Sequence, residues 1–292
     1  MKVALAIDSS HTSHVVEAAA ARPWPSGTVF CVMSVVDMSQ WRGLPALIED
    51  AKYEAQSLVK RGTDKLSQSG HDAFSEIRLG FPKKVIPEYA KQWGADLVMV
   101  GSHGQSAVTR FLLGSVAQAV LRAAPCSVEI VRRPASSSPS RGMKILFASD
   151  GSECSGKAAY SVANRPWPPD SQVRIVSAVQ LLTPDTPASA SPLASEYPTS
   201  LLEEIWQDAR TRAEKAVADA RKTISAAGLT VSEGVTTPMG EPRALILDEA
   251  KEWGADLIVL GCHGRHGLNR ILLGSVSESV ALYAPCSVEV VR

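Results

Sequence analysis

The sequence lacks an excess of charge of either sign, a long apolar run and a regular set of cysteines. Its 292 residues carry 30 basic and 30 acidic side chains, so we expect no basic surface for nucleic acid or for an anionic membrane. No apolar run approaches the roughly 20 residues of a membrane span, and Asp8 interrupts the N-terminus too early for a signal peptide. The five cysteines are an odd number without a CxxC spacing, which favours reduced thiols in the cytoplasm.

Motifs of the common nucleotide enzymes and hydrolases are missing as well. The sequence has no GxxxxGK[ST] segment, and neither GxGxxG nor HxGH follows its first predicted strand. These absences disfavour P-loop NTPases, dinucleotide-binding enzymes and nucleotidylyltransferases. A serine hydrolase elbow and a metalloprotease motif are also missing. The sequence therefore indicates a binding protein rather than a catalyst.

The chain carries one sequence pattern twice. The segments KQWGADL and LLGSVAQAVLRAAPCSVEIVR return, 160 residues later, as KEWGADL and LLGSVSESVALYAPCSVEVVR. This repetition predicts two tandem domains: a first repeat over 1–132 and a second repeat over 143–292, joined by a Pro/Ser-rich linker over 133–142. Near the start of each repeat the offset is only 142 residues, so we expect an insertion in the second repeat. The Pro/Ser/Ala-rich stretch Leu181–Ser200 is the expected insertion, a surface loop.

Apolar runs alternate with helical patterns along each repeat. In the first repeat we expect strands over Lys2–Ile7, Thr28–Val36, Ala73–Leu79, Asp96–Val100 and Ser127–Arg132, with helices over Ser10–Ala21, Leu47–Ser67, Lys83–Trp93 and Ser115–Ala123. Strands that alternate with helices predict an α/β fold with right-handed crossovers. Each repeat is therefore predicted to be an open, five-stranded parallel sheet with helices on both faces, and we take its strand order as 3-2-1-4-5.

A glycine-bearing loop is the most informative repeated segment. It reads GSHGQSAVTRFLLGS over Gly101–Ser115 and GCHGRHGLNRILLGS over Gly261–Ser275. Each copy follows a short apolar strand and opens a helix. Glycine lets the backbone approach an anion closely, and a helix N-terminus offers unpaired N–H groups, so the pattern predicts a nucleotide phosphate site in each repeat. Two alternatives stay open: the glycines serve a turn, and the Gly-Ser pairs cap the helices.

An aspartate ends the first strand of each repeat, at Asp8 and Asp150. In an open parallel sheet, ligands bind at the carboxyl ends of strands where the strand order reverses, which here is between the first and fourth strands. That position brings each aspartate to the same crevice as the glycine loop. The carboxylate either contacts ribose, purine or Mg²⁺, or it caps the following helix.

Histidines within the glycine loops have two interpretations. His103 and His263 lie between the first two glycines of their loops, where they face either the ligand or solvent. Cys262, His263 and His266 suggest a metal, but the first repeat has Ser102 in place of Cys262, and a metal needs three or four converging ligands. This difference argues against zinc and leaves the question of a metal open.

Taken together, the residues resemble the universal stress protein family in its tandem-domain form. The resemblance rests on Gly-x2-Gly-x9-Gly-Ser after a buried strand, on the aspartate that ends the first strand, and on the closing segments APCSVEIVR and APCSVEVVR. It implies a stress-response protein that binds ATP, or the related AMP or ADP, with Mg²⁺ as an optional companion. Such a protein would act as a nucleotide-dependent sensor or regulator.

By position, the resemblance implies nucleotide contacts for a set of residues in each repeat. In the first repeat these are Ala6, Asp8, Val35, Val36, Gly101, His103, Gly104, Gly114, Ser115 and Val116. In the second repeat they are Ala148, Asp150, Ala178, Val179, Gly261, His263, Gly264, Gly274, Ser275 and Val276. Ser9 stands where the second repeat has Gly151, a departure that predicts different affinities in the two repeats.

The last strand of each repeat is the expected pairing surface. Members of the family dimerise through this strand, and an exposed strand edge is a ready template for pairing. We expect the strand around Val128 and Ile130 to pair with that around Val288 and Val290 within one chain, and the chain to form a homodimer.

Three functions remain open from the sequence. The first is the nucleotide-dependent sensor or regulator. The second is an enzyme of at most weak ATP hydrolysis or autophosphorylation, for which no general base or Walker-type lysine is identifiable. The third is a structural interaction module whose sites are empty.

Overall fold

The computed structural model of the protein describes residues 1–8, 12–39, 45–102, 113–132, 142–179, 199–232, 240–264 and 273–292. Five predictions therefore lie outside the described residues: the affinity difference assigned to Ser9, the contacts of His103 and Gly104, almost all of the linker, the insertion up to residue 198, and His266 as a metal candidate.

The described elements follow the predicted alternation of strands and helices. The first repeat contains β1 (Lys2–Ala6), α1 (Thr12–Ala20), β2 (Val29–Asp37), α2 (Pro45–Gln68), β3 (Asp72–Gly80), α3 (Pro82–Trp93), β4 (Leu97–Gly101), α4 (Ser115–Ala123) and β5 (Ser127–Val131). The second repeat contains β6 (Lys144–Ala148), α5 (Glu153–Ala163), β7 (Gln172–Val176), α6 (Thr199–Ala226), β8 (Thr230–Val231), α7 (Pro242–Trp253), β9 (Leu257–Gly261), α8 (Ser275–Tyr283) and β10 (Ser287–Val291).

The sheet has the predicted topology in both repeats. Its strand order is β3-β2-β1-β4-β5-β10-β9-β6-β7-β8. Within each repeat every pairing is parallel, which confirms the order 3-2-1-4-5 and the α/β fold class. Where the repeats meet, β5 and β10 run antiparallel, with Val288 opposite Ile130 and Val290 opposite Val128.

The central strands are apolar because helices cover both faces of the sheet. Leu5, Val98, Phe147 and Ile258 all have no exposed surface, as expected for parallel strands buried on both sides. One core cluster runs continuously from the first repeat into the second, whereas the opposite face carries a separate cluster in each repeat.

The repeated segments KQWGADL and KEWGADL have a structural role. Each ends a helix, α3 or α7, with a glycine in the left-handed region, Gly94 and Gly254, both with φ of 68°. The aspartate that follows accepts a hydrogen bond from the backbone N–H of the first strand, 2.7 Å from Lys2 N to Asp96 Oδ2. The second repeat contains the matching bond from Lys144 N, at 2.8 Å. These segments tie the fourth strand to the first, and so position the crevice between them.

None of the helices in the described part of the chain is long and apolar enough to cross a membrane.

Candidate functional site

The best described crevice lies between the carboxyl ends of β6 and β9. These strands are neighbours, with Ala148 opposite Leu260. Ser149 and Asp150 follow β6, and Cys262 and His263 follow β9. In the first repeat β1 and β4 are neighbours in the same way, and Asp8 is exposed beyond the end of β1. Residues 9–11 and 103–112, the rest of that crevice, are outside the described part of the chain.

Asp150 lies directly against the glycine loop of the second repeat. Its Oδ1 accepts a hydrogen bond from Ser152 N at 3.0 Å. Its Oδ2 is so close to Gly264 that a Cβ on that residue would lie 2.9 Å from it, nearer than a real Cβ approaches any atom. A side chain at Gly264 would therefore force the Asp150 carboxylate to move, and the two predicted site residues lie together.

The cap of α5 is a serine rather than the preceding aspartate. The Ser152 Oγ accepts a hydrogen bond from Ser155 N at 3.2 Å and donates one to the carbonyl oxygen of His263, also at 3.2 Å. The alternative that Asp150 caps this helix is wrong, because the chain makes a further turn before α5 begins and Ser152 takes the N-cap position. Ser152 was missed in the sequence, although the serine-rich segment DGSECS signals a helix start.

The Gly-Ser pairs do cap their helices, as one of their two interpretations predicted, but the capping residue is the glycine and not the serine. Gly114 and Gly274 occupy the N-cap positions of α4 and α8, neither helix has a side-chain cap, and Ser115 and Ser275 are the first helical residues. A capping role for these serines is therefore wrong. Gly274 N donates to the carbonyl of Cys262 at 2.8 Å, which attaches the start of α8 to the end of β9.

The other predicted site residues border the same strand ends. Ala6 and Ala148 end β1 and β6 and are buried, and Gly101 and Gly261 end β4 and β9. Val35 and Val36 belong to β2, whereas Ala178 and Val179 lie beyond the end of β7. Val116 and Val276 are half-buried in the first turns of α4 and α8. Their contacts with a nucleotide stay predictions.

The segment GSECSGKA comes within one residue of the P-loop pattern, with alanine where serine or threonine is needed. Its Gly156 and Lys157 lie inside α5, after the helix has begun. Lys157 pairs with Glu153 on the exposed side of that helix, at 3.1 Å. The segment is part of a helix and makes no phosphate loop.

A thiol that the sequence reasoning missed also borders this crevice. The Cys154 Sγ, in the first turn of α5, lies 3.7 Å from the Cys262 Sγ, which in turn lies 2.9 Å from Nδ1 of His263. Burial, together with the contact to Cys154, raises the pKa of the Cys262 thiol to about 11. Burial, helped by the charge of Arg292, lowers the pKa of His263. The sequence did offer a signal for Cys154: the corresponding residue of the first repeat is Thr12, so this thiol is not part of the repeated pattern.

Comparison with known proteins agrees with this architecture. The model of the universal stress protein family matches residues 1–132 and again residues 143–292. The chain belongs to the universal stress protein family. It does so as a tandem of two universal stress protein domains, as the resemblance implied.

Individual relatives extend this finding. A universal stress protein of Methanocaldococcus jannaschii is 36% identical over 106 residues, which cover 34% of this chain and 62% of the relative. The chain thus spans less than two thirds of that relative's length. A crystal structure of a universal stress protein from Archaeoglobus fulgidus matches all of this chain and 96% of its own, with a TM-score of 0.66 and 20% identity. A protein of unknown function from Pseudomonas aeruginosa aligns with 99% of this chain and 92% of its own, with a TM-score of 0.59 and 16% identity. At these identities the two structures show the shared universal stress protein fold alone.

Proposed function

We propose that this universal stress protein binds one adenine nucleotide, ATP, ADP or AMP, in each repeat and acts as a nucleotide-dependent sensor or regulator of a stress response. The observation that carries the proposal is the contact between Asp150 and Gly264 at the mouth of the crevice. A carboxylate there can accept hydrogen bonds from ribose or base, while the adjacent glycine leaves room for the phosphates.

The helix that follows the glycine loop supports a phosphate in this crevice. α8 begins at Ser275 with glycine at its N-cap and no capping side chain, so N–H groups of its first turn are left for another acceptor. A phosphate is the acceptor that a helix N-terminus favours. α4 begins in the same way after Gly114, which supports a second, equivalent site.

Mg²⁺ fits the same crevice through its carboxylate. Carboxylate oxygens and phosphate oxygens are the ligands that Mg²⁺ uses most in nucleotide sites. Asp150 in the second repeat and Asp8 in the first would supply the protein ligand. The cation would neutralise charge on the bound phosphates.

Mass spectrometry of the small molecules released by denaturing the purified protein tests the ligand class. We expect an adenine nucleotide in the released fraction, and none from a variant that carries both Gly114→Val and Gly274→Val. A different ligand would replace the proposal, and equal release from the parent and the variant would refute the sites.

A turnover assay separates a sensor from an enzyme. We expect ATP hydrolysis no faster than that of the glycine double variant, because no general base has been identified. Hydrolysis or autophosphorylation that depends on Mg²⁺ and disappears in the double variant would instead establish the enzyme alternative. Turnover that survives both glycine substitutions would indicate contamination.

We further propose that the two repeats pair in solution through β5 and β10. Two arginines support this pairing by crossing between the repeats. Arg132 donates to the carbonyl oxygens of Ala281 and Cys286, at the C-terminal end of α8 and beyond it. Arg292 donates to the carbonyl of Leu121 in α4, at 2.7 Å. Each cation thus caps the negative end of a helix in the other repeat. The homodimer stays a prediction.

Arg132→Ala is expected to lower the free energy of unfolding by about 2 kcal/mol, because hydrogen bonds from a half-buried charge to several carbonyls are lost. Urea denaturation measures the change. Arg210→Ala is the matched control, since Arg210 pairs with Glu214 on the exposed side of α6, at 2.8 Å. That control should change stability by less than about 0.5 kcal/mol. Equal effects of the two substitutions would contradict the proposal that the arginine hydrogen bonds between the repeats stabilise their pairing.

A further inference from the structure

Two thiols and an imidazole converge in the second repeat, in a cluster formed by Cys154, Cys262 and His263. Their ligand atoms all lie within 4.8 Å of one another. The cluster joins two elements, since Cys154 belongs to the first turn of α5 and the other two residues follow β9. We propose that these three residues bind one divalent cation of the zinc class. The cluster borders the proposed nucleotide crevice, and His263 is also a predicted nucleotide contact, but the metal proposal rests on the ligand geometry and does not depend on nucleotide binding.

The positions of the sulfur atoms fit a tetrahedral cation. With metal–sulfur bonds of about 2.3 Å, two thiolates of one zinc site lie about 3.8 Å apart. The observed separation between Cys154 Sγ and Cys262 Sγ is 3.7 Å. Nδ1 of His263 lies 2.9 Å from the Cys262 sulfur, and this distance must lengthen by about 0.7 Å when a cation replaces the thiol proton. The cluster therefore needs only a small movement of the imidazole ring.

The second nitrogen of His263, Nε2, is not the one that would hold the cation. This atom is buried and has no hydrogen-bond partner among the described residues. Buried polar atoms are almost always partnered, and an exception calls for an ion or another group nearby. Nδ1, which faces the Cys262 sulfur, would be the metal ligand, and Nε2 would carry the outer hydrogen bond that a metal-bound imidazole normally makes. Thiolate and imidazole are the ligands that zinc prefers.

Comparison of the two repeats shows that both thiols of the cluster occur in the second repeat and not at the matching positions of the first. At the positions that correspond to Cys154 and Cys262, the first repeat has Thr12 and Ser102, while His103 corresponds to His263. Hydroxyl groups are not ligands of zinc-class sites in proteins. The chain is therefore expected to bind one such cation and not two.

The cluster borders a cavity of about 430 Å³ between the repeats, which Arg122 and Arg292 also line. Zinc sites with three protein ligands keep a water or another small ligand at the fourth position. Arg122, Arg292 and Lys157 outnumber Glu153 among the charged side chains that line this cavity, which favours an anion or hydroxide at the fourth position.

Cobalt titration of the full chain tests the proposal. The titration uses a phosphine reductant and no nucleotide, and Co²⁺ stands in for zinc because its bonds to thiolates absorb light. We expect one Co²⁺ per chain with thiolate-to-cobalt absorption, displaced by Zn²⁺. Cys154→Ser and Cys262→Ser should each weaken binding at least about tenfold. Cys126→Ser, a cysteine of the first repeat, is the matched control and should bind like the parent.

Thermal melting with and without Zn²⁺ tests the same site in each variant, even if a substitution lowers the stability of the protein. Zn²⁺ should raise the Tm of the parent and of Cys126→Ser, and should leave that of the two cluster variants unchanged. Absence of the absorption in the parent, or the same absorption in both cluster variants, would overturn the site. A parent that takes up no metal and instead forms a Cys154–Cys262 disulfide once the reductant is removed would also overturn it. None of these results bears on the nucleotide sites, since no nucleotide is present.

Discussion

Gly264→Val is expected to weaken nucleotide binding in the second repeat about a hundredfold and leave the first repeat occupied, so that one nucleotide per chain remains at ATP concentrations that just saturate the parent. Any Cβ at this position would lie 2.9 Å from Oδ2 of Asp150, and the larger side chain would displace the carboxylate or fill the space next to it. A cost of about 3 kcal/mol to binding corresponds to roughly a hundredfold loss of affinity. Isothermal titration with ATP measures both stoichiometry and affinity.

A second glycine of the same region provides the control for this result. Gly156 lies inside α5, and nothing is within 4 Å of the position that its Cβ would occupy. Gly156→Ala should therefore leave both sites intact and stabilise the helix by up to about 1 kcal/mol. Two nucleotides per chain in Gly264→Val, bound with parental affinity, would show that Asp150 and Gly264 do not form the site.

Arg165→Met is expected to destabilise the protein by about 3–5 kcal/mol, since it leaves a buried carboxylate without its partner. Glu289 and Glu129 lie directly opposite each other in the β5–β10 ladder, and each is only 1% exposed. Arg165 Nη2 lies 2.5 Å from Glu289 Oε2, and Arg22 Nη2 lies 2.7 Å from Glu129 Oε1. Without its arginine, Glu289 would be both desolvated and next to a second carboxylate. Urea denaturation measures the loss.

The double variant Arg165→Met/Glu289→Leu tests the cause of this loss. Replacement of a whole buried ion pair by apolar residues is often neutral or stabilising, so most of the lost stability should return. Lys157→Met removes the exposed partner of Glu153 and should change stability by less than about 0.5 kcal/mol. A loss below about 1 kcal/mol in Arg165→Met, or no recovery in the double variant, would contradict the account of the paired glutamates.

The strand and helix pattern was predictable because apolar runs and breakers encode it locally. The predicted helix Ser115–Ala123 agrees with α4 at both ends, and the other elements of the first repeat differ from prediction by a few residues at their ends. The strand order was assumed rather than derived, since it depends on contacts between distant segments. The structure confirms it.

Several repeated segments serve the fold, which the sequence alone did not disclose. In ARPWP and NRPWP, the arginine lies over the ring of the following tryptophan, 5.4 Å away for Arg22 and 5.0 Å for Arg165. The same arginines neutralise the glutamates of the closing strands. Repetition alone cannot separate such structural pairs from ligand contacts, because a duplicated domain repeats both.

The site itself was only partly predictable. Asp150 and Gly264 were both expected in the crevice, and the structure places them in contact. The serine cap at Ser152 and the approach of Cys154 to Cys262 depend on how α5 packs against the end of β9. That packing brings together residues more than a hundred positions apart in the sequence, so no local sequence pattern predicts these contacts.

Equilibrium dialysis of the purified full chain against labelled ATP, with and without Mg²⁺, tests the central claim most directly. At ATP concentrations that just saturate the parent, the account predicts two adenine nucleotides per chain, one after Gly264→Val and none after Gly114→Val with Gly274→Val. No bound nucleotide in the parent, or binding unchanged by these substitutions, would contradict it.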